Sequence, residues 1–252
     1  MKILYINIYE GAEEPERYNK IIKYVNKIKP DVLGLSELNH WQDNNFEKLK
    51  DFKNKTNFKN HVFVEASSGY NLAFFTNKKI TNQKSISEGF KTGLIITEIN
   101  KIQFIITHLH SKNEDLRLDE LKIIEKERKQ IPTVLMGDLN SLSPQDTYPD
   151  NLLKTLQDLD IVKFGTDHLR TEVITKLESR YLDAIKIFHK EFEYSVPTPF
   201  NKDYKHADKL RLDYFFITPD LKDKIKSAKI IRNKETDIIS DHYPILAEFS
   251  NT

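Results

Sequence analysis

Residues 133–140 read TVLMGDLN, an apolar run that ends in an acid and an amide. Residues 134–136 are short and apolar, which predicts a buried β-strand. Asp138 and Asn140 follow that strand directly, and residues two apart on an extended segment face the same side. The stretch therefore predicts a core strand whose end presents two polar side chains in one direction.

Polar groups interrupt or flank apolar strands at five further places in the chain. They are Asn7 within residues 2–8, Glu37 after 32–36, His108 and His110 after 104–107, Asp213 within 210–216, and Asp241 and His242 before 243–247. A carboxylate at the edge of an apolar core is costly unless it has a partner. We therefore expect these strand ends to meet at one rim, where the polar groups pair with one another or hold a cation.

Each polar group also has an ordinary structural interpretation. An aspartate after a strand commonly forms a turn or caps a helix, and a single histidine is commonly a surface or hydrogen-bonded core residue. We assign the histidines outside the strand ends to that ordinary class; they are His40, His61, His168, His189 and His206. Oxygen donors without any thiol favour Mg²⁺ or Mn²⁺ over Zn²⁺ or Cu²⁺.

The hydrophobic pattern predicts an α/β protein. Strands are predicted at 2–8, 32–36, 62–65, 72–76, 94–98, 102–107, 134–136, 212–217, 228–231 and 245–249. Helices are predicted from Pro15 to residue 28, around residues 41–49 and from Asn113 to about residue 128, with a mostly helical region over 148–192. Many strands with few helices favour two packed sheets flanked by helices. Because no linker or repeat is evident, we predict a single domain over residues 1–252.

The charge balance restricts the class of protein. The 252 residues carry 39 Lys and Arg against 38 Asp and Glu, a formal net charge of +1, which argues against a protein whose whole surface grips nucleic acid. A hydrophobic content of 38% is enough for a core. No apolar run is long enough for a membrane span. The first residues lack a secretory signal, so we predict a cytoplasmic protein, although a mature form without its signal would look the same.

Cysteine and glycine usage excludes several mechanisms. The chain has no cysteine, which removes disulfides, thiolate catalysis and cysteine zinc sites. Its seven glycines form no G-x-G-x-x-G, no P-loop and no G-x-S-x-G, so dinucleotide-binding dehydrogenases, P-loop NTPases and standard α/β-hydrolases are poor fits. Any phosphate chemistry here must use side chains and metal rather than a glycine-rich cradle.

The six polar segments, in this order, resemble the endonuclease/exonuclease/phosphatase superfamily. That group includes exonuclease III-type apurinic endonucleases, pancreatic-type deoxyribonucleases, bacterial sphingomyelinases and inositol-polyphosphate 5-phosphatases. The most specific parts are Gly-Asp-Leu-Asn at 137–140 and Ser-Asp-His at 240–242, supported by Leu-Ser-Glu at 35–37, Thr-His-Leu at 107–109 and Arg-Leu-Asp-Tyr at 211–214. The resemblance implies a four-layer α/β sandwich, with two mixed β-sheets packed together and flanked by helices.

The resemblance also implies a metal site. Glu37 is similar to the family's main metal carboxylate, and Asn7 and Asp241 are similar to residues that set the metal's surroundings. The apurinic endonucleases commonly have Asn-x-Asp near the start, whereas this chain has Tyr9 at the third position. A second acidic ligand is therefore missing there, and we expect one tightly bound Mg²⁺ or Mn²⁺ ion.

Catalytic residues follow from the same resemblance. Asp138 is similar to the residue that orients and deprotonates the attacking water, with Asn140 placing that residue or the phosphate. His242 is similar to the imidazole that contacts the scissile phosphate, and Asp213 to the carboxylate that holds its ring. Phosphoryl transfer needs positioning and charge neutralisation more than covalent chemistry, which agrees with these assignments.

The second histidine of the site is open between two positions. His108 and His110 lie on the same face of the predicted strand in the segment Thr-His-Leu-His. We favour His108 because it follows the family's Thr-His-Leu. It would correspond to the second histidine of the nuclease and sphingomyelinase branches.

A surplus of basic residues lies beside Asp213 in the sequence. Residues 201–234 carry ten Lys or Arg against five Asp or Glu, and Lys202, Lys205, Lys209 and Arg211 lead into Asp213. We predict that this loop flanks the active site and grips substrate phosphates. The alternative is a solvated lysine-rich face.

Together these features predict a Mg²⁺- or Mn²⁺-dependent phosphoester hydrolase that acts as a monomer on nucleic acid, as a nuclease or DNA-repair-type phosphodiesterase does. The mechanism implied is in-line attack by a water that the metal and Asp138 position. The alternative is a phosphatase or phosphodiesterase acting on a small molecule or lipid headgroup. A catalytically inactive binding module is the third interpretation. The sphingomyelinase branch ranks low because neither export nor an apolar membrane-contacting loop is evident.

Overall fold

The computed structural model describes residues 1–201 and 207–250, and the strands in this part of the chain form two six-stranded sheets. The first sheet contains β1 (Lys2–Asn7), β2 (Val32–Ser36), β3 (Asn60–Val64), β4 (Leu72–Thr76), β11 (Ile225–Ile230) and β12 (Ile245–Phe249). Its strand order is β11-β12-β1-β2-β4-β3. Strands β1 and β2 are parallel and the other neighbours are antiparallel, so the sheet is mixed.

The second sheet has the same size and the same mixed character. It contains β5 (Asn82–Ile86), β6 (Leu94–Ile99), β7 (Ile102–His108), β8 (Thr133–Asp138), β9 (Leu182–Asp183) and β10 (Asp213–Ile217). Its strand order is β5-β6-β7-β8-β10-β9. Strands β7 and β8 are parallel, and the remaining neighbours are antiparallel.

The two sheets pack face to face through one apolar cluster to which both contribute. Phe74 from the first sheet and Phe104 from the second are fully buried in it. Gly34 on β2 lies where the sheets approach most closely, because a Cβ there would come within 2.8 Å of Ile106 Cδ1 and 3.3 Å of Met136 Cε. A side chain at this position would therefore force the sheets apart.

Helices cover the outer faces of both sheets. Helices α1 (Pro15–Ile28) and α2 (Asp43–Thr56) pack on the first sheet, and α3 (Glu114–Glu127) and α5 (Glu172–Glu178) pack on the second. The shorter helices are α4 (Leu152–Asp158) and α6 (Ala184–Phe188), and 3₁₀ turns occupy Glu10–Ala12, Pro219–Lys224 and Thr236–Ile238. This order of layers confirms the predicted four-layer α/β sandwich. Among the described residues, no helix has the length and apolar character needed to cross a membrane.

Two segments differ from the sequence-based expectations. Residues 148–192 were expected to be mostly helical, but they hold only the short helices α4, α5 and α6 and the two-residue strand β9. Strand β5 was not expected, because its sequence is polar and it is exposed at the sheet edge. An exposed edge strand needs no alternation of apolar residues, so the hydrophobic pattern does not reveal it.

The topology brings the polar strand ends to one edge of the sandwich. The parallel strands β1 and β2 both end there, with Asn7 opposite Ser36, and so do the parallel strands β7 and β8, with His108 opposite Asp138. The antiparallel strand β10 begins at the same edge, where Asp213 pairs with Asp138. The expected convergence of strand ends therefore follows from the strand directions.

Candidate active site

Asn7 links the two sheets at the edge where the strands end. Its Nδ2 donates hydrogen bonds to Glu37 Oε1 at 3.0 Å and to Asp138 Oδ2 at 3.3 Å. Glu37 follows β2 with φ of 60°, a left-handed conformation that is uncommon outside glycine and asparagine. The other oxygen of Glu37, Oε2, accepts the backbone N–H of Glu10 at 3.1 Å. The carboxylate is thus held in place at a strained turn, as is frequent at functional sites.

Asp138 lies at the end of β8 and is almost fully buried. Its Oδ1 accepts the backbone N–H of Asn140 at 2.9 Å, and Asn140 Nδ2 donates to the Leu109 carbonyl at 2.8 Å. Burial acts to raise the pKa of Asp138, but the imidazoles of His242 and His108 hold it below its usual value. The carboxylate is therefore ionised at neutral pH and can accept a hydrogen bond from water or substrate.

His242 forms a buried pair with Asp213, as the sequence predicts. His242 Nδ1 lies 2.8 Å from Asp213 Oδ2, and His242 Nε2 lies 3.6 Å from Asp138 Oδ2. Burial acts to lower the pKa of His242, but Asp213, Asp138 and Asp241 raise it to about 10. The ring is therefore an imidazolium at neutral pH, with two N–H donors.

His108 is the histidine that lies in the site. Its Nε2 is 3.4 Å from Asp138 Oδ2, and its Nδ1 is 4.0 Å from Glu37 Oε1. His110 is not among the residues that line the cleft, and its Nδ1 accepts the backbone N–H of Lys112 at 3.0 Å. The geometry therefore favours His108 over the alternative that the sequence left open.

Asp241 adds a third carboxyl group beside Glu37 and Asp138. Burial, together with the charge of Glu37, raises the pKa of Asp241 to about 7. Ser240 Oγ lies 3.2 Å from Asp241 Oδ1 and 2.6 Å from the Asn7 carbonyl, which ties the segment before β12 to the end of β1. Three acids in one cleft are an excess of negative charge that a bound cation would relieve.

The residues fit a divalent cation at Glu37. Three carboxyl groups supply the oxygen donors that Mg²⁺ and Mn²⁺ prefer. The Asn7 amide holds Glu37 and Asp138 through its Nδ2, while its oxygen accepts the Tyr9 backbone N–H at 3.0 Å. Asp138, Asp213 and His242 also place ligand atoms within 4.8 Å of one another. That second group is a poorer cation site, because His242 is protonated and already paired with Asp213. His108 Nδ1, near Glu37, is buried and has no hydrogen-bond partner among the described residues, so it too is available to a ligand.

These groups line a cleft of about 370 Å³. Six of the predicted site residues line this cleft, and they are Glu37, His108, Asp138, Asn140, Asp241 and His242. Asn7 and Asp213 lie behind this surface and contact Glu37 and His242 respectively. The structure thus brings together all eight residues that were predicted for metal binding and catalysis.

The predicted basic loop does not supply the cations of this cleft in the described part of the chain. Lys202 and Lys205 lie outside the described residues. Lys209 is exposed, with Nζ 5.1 Å from the Tyr194 ring centroid, and does not line the cleft. Arg211 requires a correction, because its fully buried guanidinium forms ion pairs with Asp146 and Asp183. An arginine held in this way has a structural function and is not available to a substrate.

Three other lysines line the cleft, and the sequence analysis did not identify them. They are Lys91, Lys112 and Lys163. Lys163 lies between α4 and α5, where burial lowers its pKa to about 8 although Asp138 and Glu37 act to raise it. These lysines stand in loops with no motif around them, so nothing in the local sequence distinguishes them from the other lysines of the chain.

Comparisons with known proteins agree with the fold. Residues 4–242 match the Endonuclease/Exonuclease/phosphatase family. An AP endonuclease from Archaeoglobus fulgidus is similar in structure, with a TM-score of 0.75, 20% sequence identity and 99% of each chain covered. A protein of the same family from Leptotrichia buccalis C-1013-b has a TM-score of 0.69, 19% identity and 100% of each chain covered. No curated protein matches the sequence. Since the family match spans almost the whole chain, the protein belongs to the endonuclease/exonuclease/phosphatase family.

Proposed function

We propose that the protein is a divalent-metal-dependent phosphodiesterase that acts on nucleic acid, as a nuclease or a DNA-repair enzyme does. Its family consists in general of hydrolytic phosphoesterases. One observation carries the proposal: Asp138 Oδ2 lies 3.4 Å from His108 Nε2 and 3.6 Å from His242 Nε2, and Asn7 connects it to Glu37. A carboxylate between two imidazoles, beside a site that fits a cation, is an arrangement suited to phosphoryl transfer.

The proposed metal-binding residues are Glu37, Asn7 and Asp241. When bound there, one Mg²⁺ or Mn²⁺ ion would neutralise charge on the phosphate and on the leaving oxygen. Glu37 is the main ligand in this proposal because the Glu10 N–H and the Asn7 amide already hold its two oxygens in position. Burial and, to a smaller extent, the charge of Glu37 raise the pKa of Asp241, and a bound cation would oppose both effects.

Asp138 and Asn140 are the proposed residues for the attacking water. The ionised Asp138 can accept a proton from water, and the Asn140 backbone N–H orients its second oxygen at 2.9 Å. His242 is proposed to donate from Nε2 to a phosphate oxygen, since Asp213 occupies its Nδ1 side. We assign the scissile phosphate a further cation, Lys163, which acts electrostatically on Asp138, Glu37 and Asp241.

The experiment that tests this function measures hydrolysis with Mg²⁺, with Mn²⁺ and with EDTA. The substrates are single- and double-stranded DNA, an abasic duplex, RNA, DNA with 5′-blocked ends and bis(p-nitrophenyl) phosphate. We expect metal-dependent cleavage of at least one polymer and no turnover in EDTA. Hydrolysis of the small ester alone would contradict the proposal that the substrate is nucleic acid. Turnover that EDTA leaves unchanged would contradict the proposed dependence on a metal.

Two variants test the assigned residues. Asp138→Asn and His242→Ala should each lower kcat by about 10²–10⁴-fold, because each removes a group that moves a proton or contacts the phosphate. Asp119→Asn, which changes an exposed aspartate on α3, is the matched control and should keep the wild-type kcat. Circular dichroism of all three variants checks that the fold is retained. Near-normal turnover by either site variant would refute the mechanism.

A lipid headgroup is the second candidate substrate, and one observation favours it. Leu159 and Val162 are 49% and 45% exposed, and Val162 lines the cleft beside Lys163. Exposed apolar residues next to a cation can contact a lipid surface, and the sequence analysis had found no such loop. Phospholipid vesicles therefore belong in the substrate panel, and hydrolysis of their headgroups without polymer cleavage would favour this candidate.

A further inference from the structure

Two further lysines line the cleft in addition to Lys163. Lys91 lies before β6, and Lys112 lies between β7 and α3. The Lys112 backbone N–H donates to His110 Nδ1, and the charges of Lys91 and Lys112 both act on that ring. Lys163, by contrast, acts on the three carboxyl groups of the proposed metal and water site. The cleft therefore draws its lysines from different loops, Lys163 from one and Lys91 and Lys112 from two others.

Lys91 is held in one conformation by several contacts. Its backbone N–H donates to Glu120 Oε1 at 2.9 Å, and its carbonyl accepts the Ser68 hydroxyl at 2.5 Å. Its Nζ donates to Ser111 Oγ at 2.6 Å and lies 5.4 Å from the centroid of the Tyr70 ring. A lysine that is ordered before the ligand arrives loses less conformational entropy on binding.

Within the described residues, these lysines form no direct ion pair. No carboxylate there lies within 4.0 Å of the Nζ of Lys91 or Lys112, whereas Lys84 and Lys129 of the same half of the molecule pair with Glu127 and Glu98. The Lys91 ammonium group is preorganised next to a hydroxyl group and has no direct carboxylate contact, so it is suited to bind an anion.

The cleft has room for more than one phosphate group. Its volume is about 370 Å³, and a water molecule takes about 30 Å³ of the liquid. A substrate that fills the region around Glu37 with its scissile phosphate can therefore extend to the region of Lys91 and Lys112 along the same cleft.

We infer that Lys91, Lys112 and the Ser111 hydroxyl bind a phosphate that flanks the scissile phosphate of a nucleic acid strand. The inference rests on the proposed function for the scissile position. In this proposal the substrate is bound by the loop that carries Lys91 and the loop that carries Ser111 and Lys112, and not by Arg211 as the sequence had suggested. The ligand class is a chain of phosphodiesters, since such a chain carries a second phosphate beside the scissile one.

The test measures binding without catalysis. Fluorescence anisotropy with EDTA present gives the Kd of a labelled DNA oligonucleotide, single-stranded and as a duplex, for wild type and the double variant Lys91→Ala/Lys112→Ala. The matched control is Lys23→Ala/Lys226→Ala, two exposed lysines that do not line the cleft. Each double variant removes two positive charges and changes the formal net charge from +1 to −1.

We expect the Lys91/Lys112 variant to bind the oligonucleotide at least about tenfold more weakly than the control does. The slope of log Kd against the logarithm of the salt concentration should be smaller by about 1 in this variant. A second arm uses wild-type protein and oligonucleotides with one neutral methylphosphonate at successive positions. At one position beside the cleavage site the modified strand should bind wild type more weakly, while the Lys91/Lys112 variant should bind modified and unmodified strands equally.

Equal Kd values for the Lys91/Lys112 variant and the control would overturn the inference. The inference would also fail if each methylphosphonate substitution weakened binding to the wild type and to the variant by the same factor. If a nucleoside 3′,5′-bisphosphate binds wild type as tightly as the oligonucleotide does, the proposal that the ligand is a nucleic acid strand is wrong. Hydrolysis of bis(p-nitrophenyl) phosphate with Mg²⁺ or Mn²⁺ tests the proposed function separately. The binding result therefore decides the inference even if the catalytic assignment fails.

Discussion

The Tyr5 hydroxyl joins the two sheets directly beneath the candidate site. It lies 2.6 Å from Ser36 Oγ and accepts the backbone N–H of Asp138 at 2.9 Å. Ser36 precedes Glu37, so one phenol connects the strand that ends at Glu37, the proposed metal ligand, with the strand that ends at Asp138, the residue proposed to bind the attacking water.

Tyr5→Phe should separate positioning from chemistry. The variant leaves the Asp138 N–H and the Ser36 hydroxyl without their buried partner, which should lower the free energy of unfolding by about 1–3 kcal/mol. Because Asp138 then shifts relative to Glu37, kcat should fall by about 10–100-fold with a smaller change in KM. Urea unfolding and steady-state kinetics measure the two effects.

Tyr24→Phe is the control for Tyr5→Phe, because the buried Tyr24 hydroxyl has no hydrogen-bond partner among the described residues. It should change neither stability nor kcat. A Tyr5→Phe enzyme that is destabilised but keeps the wild-type kcat would show that Tyr5 supports the fold without positioning the site.

The candidate catalytic residues stand out as a set because each interrupts or flanks an apolar strand. Asp138 and His242 stand beside core strands, where a polar side chain needs an explanation. Lys163 and Lys91 stand in loops between the helices and strands, where a lysine needs none. Arg211 was misjudged for the same reason: its neighbours in sequence are basic, but its partners Asp146 and Asp183 are distant in sequence.

Helix α3 carries a buried polar face that holds three loops around the cleft. Arg117 donates from Nη1 to the His110 carbonyl at 2.9 Å and from Nη2 to the Lys163 carbonyl at 2.6 Å. Glu114 accepts the Ser141 hydroxyl at 2.9 Å. The helix thereby fixes the loops that follow β7 and β8 and the loop that carries Lys163. Helical periodicity predicts α3 but not this face, because buried charges look like solvent-facing ones in sequence.

Glu120 on α3 should make stability depend on pH. Burial raises its pKa to about 7, above the value of about 4.3 for an unfolded glutamate. The folded state therefore binds the proton more tightly, and this contribution to stability is present at low pH and is lost as the pH rises through 7. Between about pH 5 and pH 8 the loss is on the order of 3 kcal/mol.

The comparison of Glu120→Gln with wild type isolates this effect. The free energy of unfolding from urea titrations should fall less between about pH 5 and pH 8 in Glu120→Gln than in wild type. Glu47→Gln, which changes an exposed glutamate on α2, should follow the wild-type profile. Parallel profiles for wild type and Glu120→Gln would show that Glu120 does not titrate in this range.

The elements that the sequence predicts well are those with a buried face. Strands β2, β4 and β12 occur at the predicted residues, and Asn113 caps α3 by accepting the Leu116 N–H. Residues 148–192 were misjudged because their apolar side chains pack as scattered contacts, such as Leu156 and Phe164 in a small satellite cluster, rather than along one long helix. Such packing leaves no period in the sequence.

At the scale of the whole molecule, the position of the site follows from strand direction. Each sheet has one parallel pair, and both pairs end at the same edge. Fold and site were therefore predictable together, because six strand-end segments share one geometric requirement. Three statements remain predictions: residues 1–252 form one domain, the protein is a monomer, and it is cytoplasmic.

Metal binding should stabilise the molecule as a whole. Glu37, Asp138 and Asp241 lie in one cleft, and a cation that binds only the folded state raises Tm by mass action. We expect a higher Tm with Mg²⁺ or Mn²⁺ than with EDTA, measured by differential scanning fluorimetry. Glu37→Gln should lose most of this shift, whereas the exposed-site control Glu47→Gln should keep it. An equal shift in both variants would place the cation elsewhere.

The pairing of β1 with β12 sets the order of events during synthesis. Strand β12 lies between β1 and β11, so the first strand of the chain acquires its antiparallel neighbour only after residue 249 has been made. The site draws Asn7 from one end of the sequence and His242 from the other. A growing chain on the ribosome therefore cannot assemble the candidate site before both of these segments have been made.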